Sequence, residues 1–121
     1  MLQITLGRMR YQPDDRDDNF LPRTLAGWDK TMTEIQVYDA ARGWWRLNVD
    51  RARSERFAVV VPAGRVRQII EINPDDWTYA PNIARWAFSG TVLQAGHPVY
   101  ERYTGQTLPS SGQNPIRYLR D

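Results

Sequence analysis

Phe57, Ala58, Val59, Val60 and Val61 form an unbroken apolar run that a chain in water can satisfy only by burying it. Closed by the turn residues Pro62, Ala63 and Gly64, a run of this length predicts a central strand, and Val66 to Ile72 predicts the strand that returns beside it. In that second strand Arg67 and Glu71 fall on one face, with Val66, Gln68, Ile70 and Ile72 on the other, so the hairpin is expected to keep one wet side.

Helical signals lead directly into this hairpin. Thr33 followed by Gln36, or Thr31 followed by Glu34, supplies a capping box, and Ile35, Tyr38, Ala41 and Trp45 recur at helical spacing. One helix is therefore expected from Glu34 to Trp44, weakened near Gly43. Asn48 is placed to cap a short second helix running through Asp50 to Ser54.

Strand signals occupy both ends. Leu2, Ile4 and Leu6 alternate with Gln3 and Thr5, which predicts a half-buried first strand. Arg85 to Leu93 reads as a further strand, with Trp86 and Phe88 on one face and Gly90 as a bulge. His97 and Pro98 open a short helix that Gly105 stops, and Ile116 to Leu119 is short and rich in β-formers. From Gln12 to Lys30 the composition is that of a solvated loop, anchored by Phe20, Leu21, Leu25 and Trp28 and carrying the acidic run Asp14 to Asp18. Trp77 and Tyr79 are expected to anchor the loop after Asn73.

With 121 residues these elements fit one domain: residues 1–30 carry the first strand and the acidic loop, and residues 31–121 carry the core. The fold class expected is α+β, a small, strongly curved, mainly antiparallel and barrel-like sheet, closed or partly closed, whose openings two or three short helices cover. There is no cysteine, which removes disulfides, thiolate zinc sites and cysteine nucleophiles together and suits a reducing cytoplasm. No segment reaches the roughly 18 apolar residues of a membrane span, and the first residues lack the basic-then-apolar order of a secretory leader. A soluble cytoplasmic protein, with no membrane partner, is the expectation.

The candidate chemistry is that of binding. His97 is the single histidine, Asp14 to Asp18 lacks the central glycine and closing glutamate of a calcium loop, and Ser110, Ser111 and Gly112 lack the strand-turn-helix setting of a serine nucleophile. No catalytic set, metal or cofactor is therefore called for. Between Arg42 and Arg67, by contrast, seven arginines face two acidic residues, a local surplus of five in a chain whose net charge is +2. Trp44 and Trp45 sit inside that surplus, and Arg42 and Arg46 fall one helical turn apart beside them. Core packing accounts for tryptophans of this kind more readily than base stacking does, and the arginine bias fits a GC-rich genome better than it fits phosphate contacts. Gln113 and Asn114 either cap a turn or present a fork to adenine, and Arg117 is placed to meet phosphate.

The stretches Arg-Gly-Trp-Trp-Arg-Leu at Arg42, Arg-Trp-Ala-Phe-Ser-Gly at Arg85 and Gln-Asn-Pro-Ile-Arg-Tyr at Gln113, with the hairpin at Gly64, resemble a family of small bacterial and phage domains. Members occur alone or beside GIY-YIG nuclease domains, including the LEM-3-like group. The resemblance spans Thr33 to Leu119 and implies a PUA-like barrel related to the EVE and ASCH domains, with RNA or modified DNA as ligand. Cleavage is not implied, because the nuclease part is missing. Taken together, the expectation is a non-catalytic nucleic-acid-binding module that takes an unstacked or modified base, or a nucleotide, in a concavity lined by Arg42, Trp44, Trp45, Arg46, Arg85, Trp86, Asn114, Arg117 and Tyr118. The rival is a protein-interaction or small-ligand factor of phage or mobile-element origin that engages a host or nuclease protein.

Overall fold

The computed structural model describes residues 1–7, 10–11, 25–26, 31–108 and 115–119. Among the described residues nine strands and three helices follow one another as β1 (Leu2–Leu6), β2 (Arg10–Tyr11), β3 (Leu25–Ala26), α1 (Glu34–Ala41), α2 (Val49–Arg53), β4 (Phe57–Pro62), β5 (Gln68–Ile72), β6 (Thr78–Ala80), β7 (Arg85–Ala87), β8 (Gly90–Val92), α3 (Pro98–Tyr103) and β9 (Ile116–Tyr118). The expected acidic loop Asp14 to Asp18, its anchors Phe20, Leu21 and Trp28, and the polar segment from Ser110 to Asn114 lie outside the described residues.

Five strands pair in the order β8-β5-β4-β1-β9. The sheet is mainly antiparallel, but β1 runs parallel to β4, with Ile4 opposite Val60. Parallel neighbours need a long crossover, and here the chain between them carries α1 and α2. Two smaller ladders join β2 to β3 and β6 to β7. No pairing joins β8 to β9 among the described residues, so these strands do not form a closed barrel among them.

Both faces of the sheet are covered. On one, Leu2, Ile4, Leu6, Ala58, Val60, Ile70 and Ile72 pack with Val37, Ala40 and Ala41 of α1, Ala52 of α2, and Trp77 and Phe88. On the other, Val59, Val61 and Ile69 meet Met1, Val66 and Leu93, and α3 contributes Val99, Tyr100 and Tyr103. The hairpin of β4 and β5 therefore has no wet side: Ile69 is as buried as Ile70, and only Glu71 of β5 stays half-exposed, in an ion pair with Arg56 at 3.0 Å. A central strand covered on both faces reads as a continuous apolar run, as Ala58 to Val61 does.

Local chemistry starts each helix. The Thr33 side chain accepts from Gln36 N–H while Gln36 Oε1 accepts from Thr33 N–H, a complete capping box. Asn48 Oδ1 accepts from the N–H groups of Asp50 and Arg51. His97 Nδ1 accepts from Val99 N–H, with Pro98 in the first turn of α3. α1 stops at Ala41, three residues short of the expected Trp44: Arg42 is its C-cap, donating the last helical bond to Tyr38 O, and Trp45 then pairs with Trp86 of β7 rather than continuing the helix. Gly90 is required where β8 crosses β5: a Cβ there would lie 2.3 Å from the Glu71 carbonyl oxygen.

Candidate nucleic-acid interface

The segment after α1 does not continue as a helix; it joins a β-hairpin. Trp45 N–H donates to Trp86 O and Trp86 N–H to Trp45 O, both at 2.8 Å, so Trp45 pairs with Trp86 as β6 pairs with β7 on the other side. Arg42, at the entry to this segment, donates from Nε to Phe88 O at 3.1 Å and accepts at its carbonyl from Phe88 N–H. Two adjacent residues in an extended segment point to opposite faces, and the two tryptophans separate accordingly. Trp45 packs against the main core and donates from Nε1 to Ala41 O at 2.6 Å. Trp44 turns the other way, 8% exposed, against Ala80 and Ala87.

α2 lies beside this hairpin. Its cap at Asn48 fixes where it starts, and buried Ala52 fixes which side meets the sheet. Arg51 and Arg53, two positions apart, then leave the helix on opposite flanks. Each finds an aromatic ring. The Arg51 guanidinium carbon sits 4.0 Å from the ring centre of Tyr118 on β9, and that of Arg53 sits 6.0 Å from the ring centre of Trp86 on β7. Tyr79 on β6, 42% exposed, extends the aromatic surface beyond Trp86, with ring centres 4.9 Å apart and a tilt of 46°. The result is a band running Tyr118, Arg51, α2, Arg53, Trp86, Tyr79. Partial burial raises the Tyr118 hydroxyl pKa above the ordinary tyrosine value; the Arg51 charge opposes that shift and Glu55 adds to it.

This arrangement redistributes the residues singled out in the sequence. Trp45, Trp86 and Tyr118 share the face that carries α2. Arg85 alternates with Trp86 and so joins Ala87 and Trp44 on the far face of the hairpin, and Arg46, across from Arg85 by continuation of the Trp45–Trp86 register, is exposed there at its edge. Arg117 pairs with Gln3, whose side chain faces away from Leu2 and Ile4, which places Arg117 on the α3 side of the main sheet. A single concavity uniting Arg46, Arg85 and Arg117 is therefore not formed. Arg42 and Arg46 do not share a helix face either, since α1 ends before both. Asn114 lies outside the described residues. An arginine next to an aromatic in an extended chain is turned away from it, and in two of the three motifs, at Trp86 and Tyr118, the arginine over the ring comes from α2 instead. Arg51, Arg53 and Tyr79, which the structure adds as candidates, were not singled out from the sequence as site residues. Arg51 and Arg53, spaced two apart on a helix capped by Asn48, were the available signal.

Among the described residues no group of three or more His, Cys, Asp or Glu side chains is placed to hold a metal ion, and no helix is long and apolar enough to cross a membrane. No family model, curated protein or solved structure matches this chain.

Proposed function

We propose that this protein is a non-catalytic nucleic-acid-binding module whose contact surface is the band of arginines and aromatics around α2. The observation that carries the proposal is the pair of guanidinium–ring stacks on the two flanks of one short helix, Arg51 on Tyr118 and Arg53 on Trp86. Guanidinium groups held over aromatic rings keep N–H donors at their edges for phosphate oxygens, and the half-exposed ring of Trp86 and the exposed ring of Tyr79 add aromatic surface beside them. Arg46 and Arg85, exposed on the far face of the neighbouring hairpin, add positive charge at the same end of the molecule without joining the band. RNA, modified DNA or a nucleotide is the ligand class, and the cytoplasm is the compartment. The PUA-like kinship, its unstacked or modified base, and the nuclease neighbourhood belong to the same proposal and rest on the sequence motifs.

Fluorescence anisotropy with labelled RNA and DNA oligonucleotides across a salt series tests this reading. Affinity falls linearly in log–log form as salt rises, and replacing Arg51 and Arg53 together by alanine reduces that slope by about 2, one for each phosphate contact removed. Absence of binding to every oligonucleotide at low salt overturns it. The rival reading, a protein partner from a host or a nuclease, draws on Ile83, 38% exposed at the tip of the β6–β7 hairpin near Tyr79, and would then be the one to pursue by pull-down.

A further inference from the structure

We infer that Trp86 and Arg53 form a slot for one unpaired base, so that the surface selects single-stranded over double-stranded nucleic acid. This rests on the nucleic-acid reading and names the ligand class of the same site.

The other described tryptophans are committed. Trp44 and Trp77 are 8% and 7% exposed, and Trp45 is packed on the core with its indole N–H given to Ala41 O. Tyr118 is covered by Arg51 at 4.0 Å. Trp86 packs against the same core as Trp45 but carries over its ring the guanidinium of an exposed arginine, Arg53. Its backbone is held rigidly, by two hydrogen bonds to Trp45 on one side and by the β6 ladder on the other, while its side chain remains half-exposed.

Its cover is loose. The Arg53 guanidinium stands 6.0 Å from the ring centre, at the outer limit of about 6 Å for a cation–π contact, on an exposed side chain at the last residue of α2. A flat group entering over Trp86 therefore displaces a weak contact and gains two: the indole below it and the guanidinium that closes over it. Tyr79, tilted by 46° and exposed, stands beside the ring for the neighbouring nucleotide. Duplex nucleic acid cannot use such a slot, because its base faces are already stacked on one another and only phosphates and groove edges remain to be read. Every base has a π-face, so this stack is tolerant of base identity.

The experiment compares three labelled ligands of equal length and equal phosphate number per strand: a single-stranded oligonucleotide, the same strand carrying abasic sites, and the same strand annealed to its complement. The expected result is binding of the intact single strand about tenfold or more tighter than of the abasic strand, with the duplex also weaker, since loss of one stacked base changes affinity by roughly 5- to 150-fold. Arg53→Ala, at an exposed site, narrows the gap between intact and abasic strands. Trp86→Leu removes the gap and Trp86→Phe retains most of it, with far-UV circular dichroism reporting whether each variant is folded. Equal affinity for intact, abasic and duplex ligands overturns the slot while leaving the nucleic-acid reading intact; so does an Arg53→Ala variant that weakens all three ligands by the same factor. Absence of binding to all three at low salt overturns both.

Discussion

Trp45 and Trp86 exchange both of their backbone hydrogen bonds, each 2.8 Å long, although 41 positions separate them in the chain. The pairing forms a one-residue bridge to the β6–β7 hairpin and ties it to the end of α1, whose last residue, Ala41, accepts the Trp45 indole N–H. Replacing Trp45 by alanine removes a half-buried ring and that hydrogen bond together. The expected loss is about 3 kcal/mol, the low end for tryptophan truncation because the ring is only half-buried. Urea unfolding measures it.

Gly90 provides a test of the sheet. An alanine Cβ there meets the backbone oxygen of Glu71 at 2.3 Å, and a backbone atom inside a ladder cannot rotate away. Gly90→Ala should therefore force β8 off β5, break the donation from Gly90 N–H to the Tyr38 hydroxyl, and destabilise by about 3 kcal/mol. Gly7, where an added Cβ meets nothing within 4 Å, is the control, with an expected change within about 0.5 kcal/mol.

Asn48 links stability to the candidate interface. Its side chain satisfies two N–H groups of a helix only five residues long, the helix that carries Arg51 and Arg53. Asn48→Ala is expected to cost about 1 kcal/mol and to weaken oligonucleotide binding although residue 48 offers no charge to a phosphate. Asn48→Asp keeps the cap and should restore stability. Thermal unfolding and anisotropy on the same samples separate the two effects.

Tyr118 gives the protein a sensitivity to alkaline pH. Partial burial favours its neutral form and raises its pKa, with Arg51 opposing and Glu55 reinforcing the shift. The unfolded chain ionises first, near pH 10. Tyr118 therefore contributes stability that is fully present below about pH 10 and is lost as pH rises from there through the raised folded value. Tyr118→Phe should flatten this part of the stability profile while changing stability little at neutral pH, since the hydroxyl stands 3.5 Å from Asn48 O. Denaturation midpoints on both sides of about pH 10 check it.

Much of this protein was legible locally. Thr33 and Gln36, Asn48, and His97 with Pro98 start the three helices as their side-chain chemistry dictates, because a cap needs only an oxygen or nitrogen acceptor within two or three residues of the N–H groups it satisfies. The alternation of Leu2, Ile4 and Leu6 and the run from Phe57 to Val61 set down two strands for equally local reasons. Partnership was not legible. That β1 lies parallel to β4, that α3 covers the face of β5 expected to be wet, and that Trp45 pairs with Trp86 all depend on contacts between distant segments, and no short window of sequence contains both partners. The arginines show the consequence most directly. Arg46, Arg85 and Arg117 each adjoin an aromatic residue in sequence, and in an extended backbone that adjacency turns them to the opposite face; Arg51 and Arg53 are remote in sequence from Tyr118 and Trp86, and the packing of α2 against the sheet brings them onto those rings.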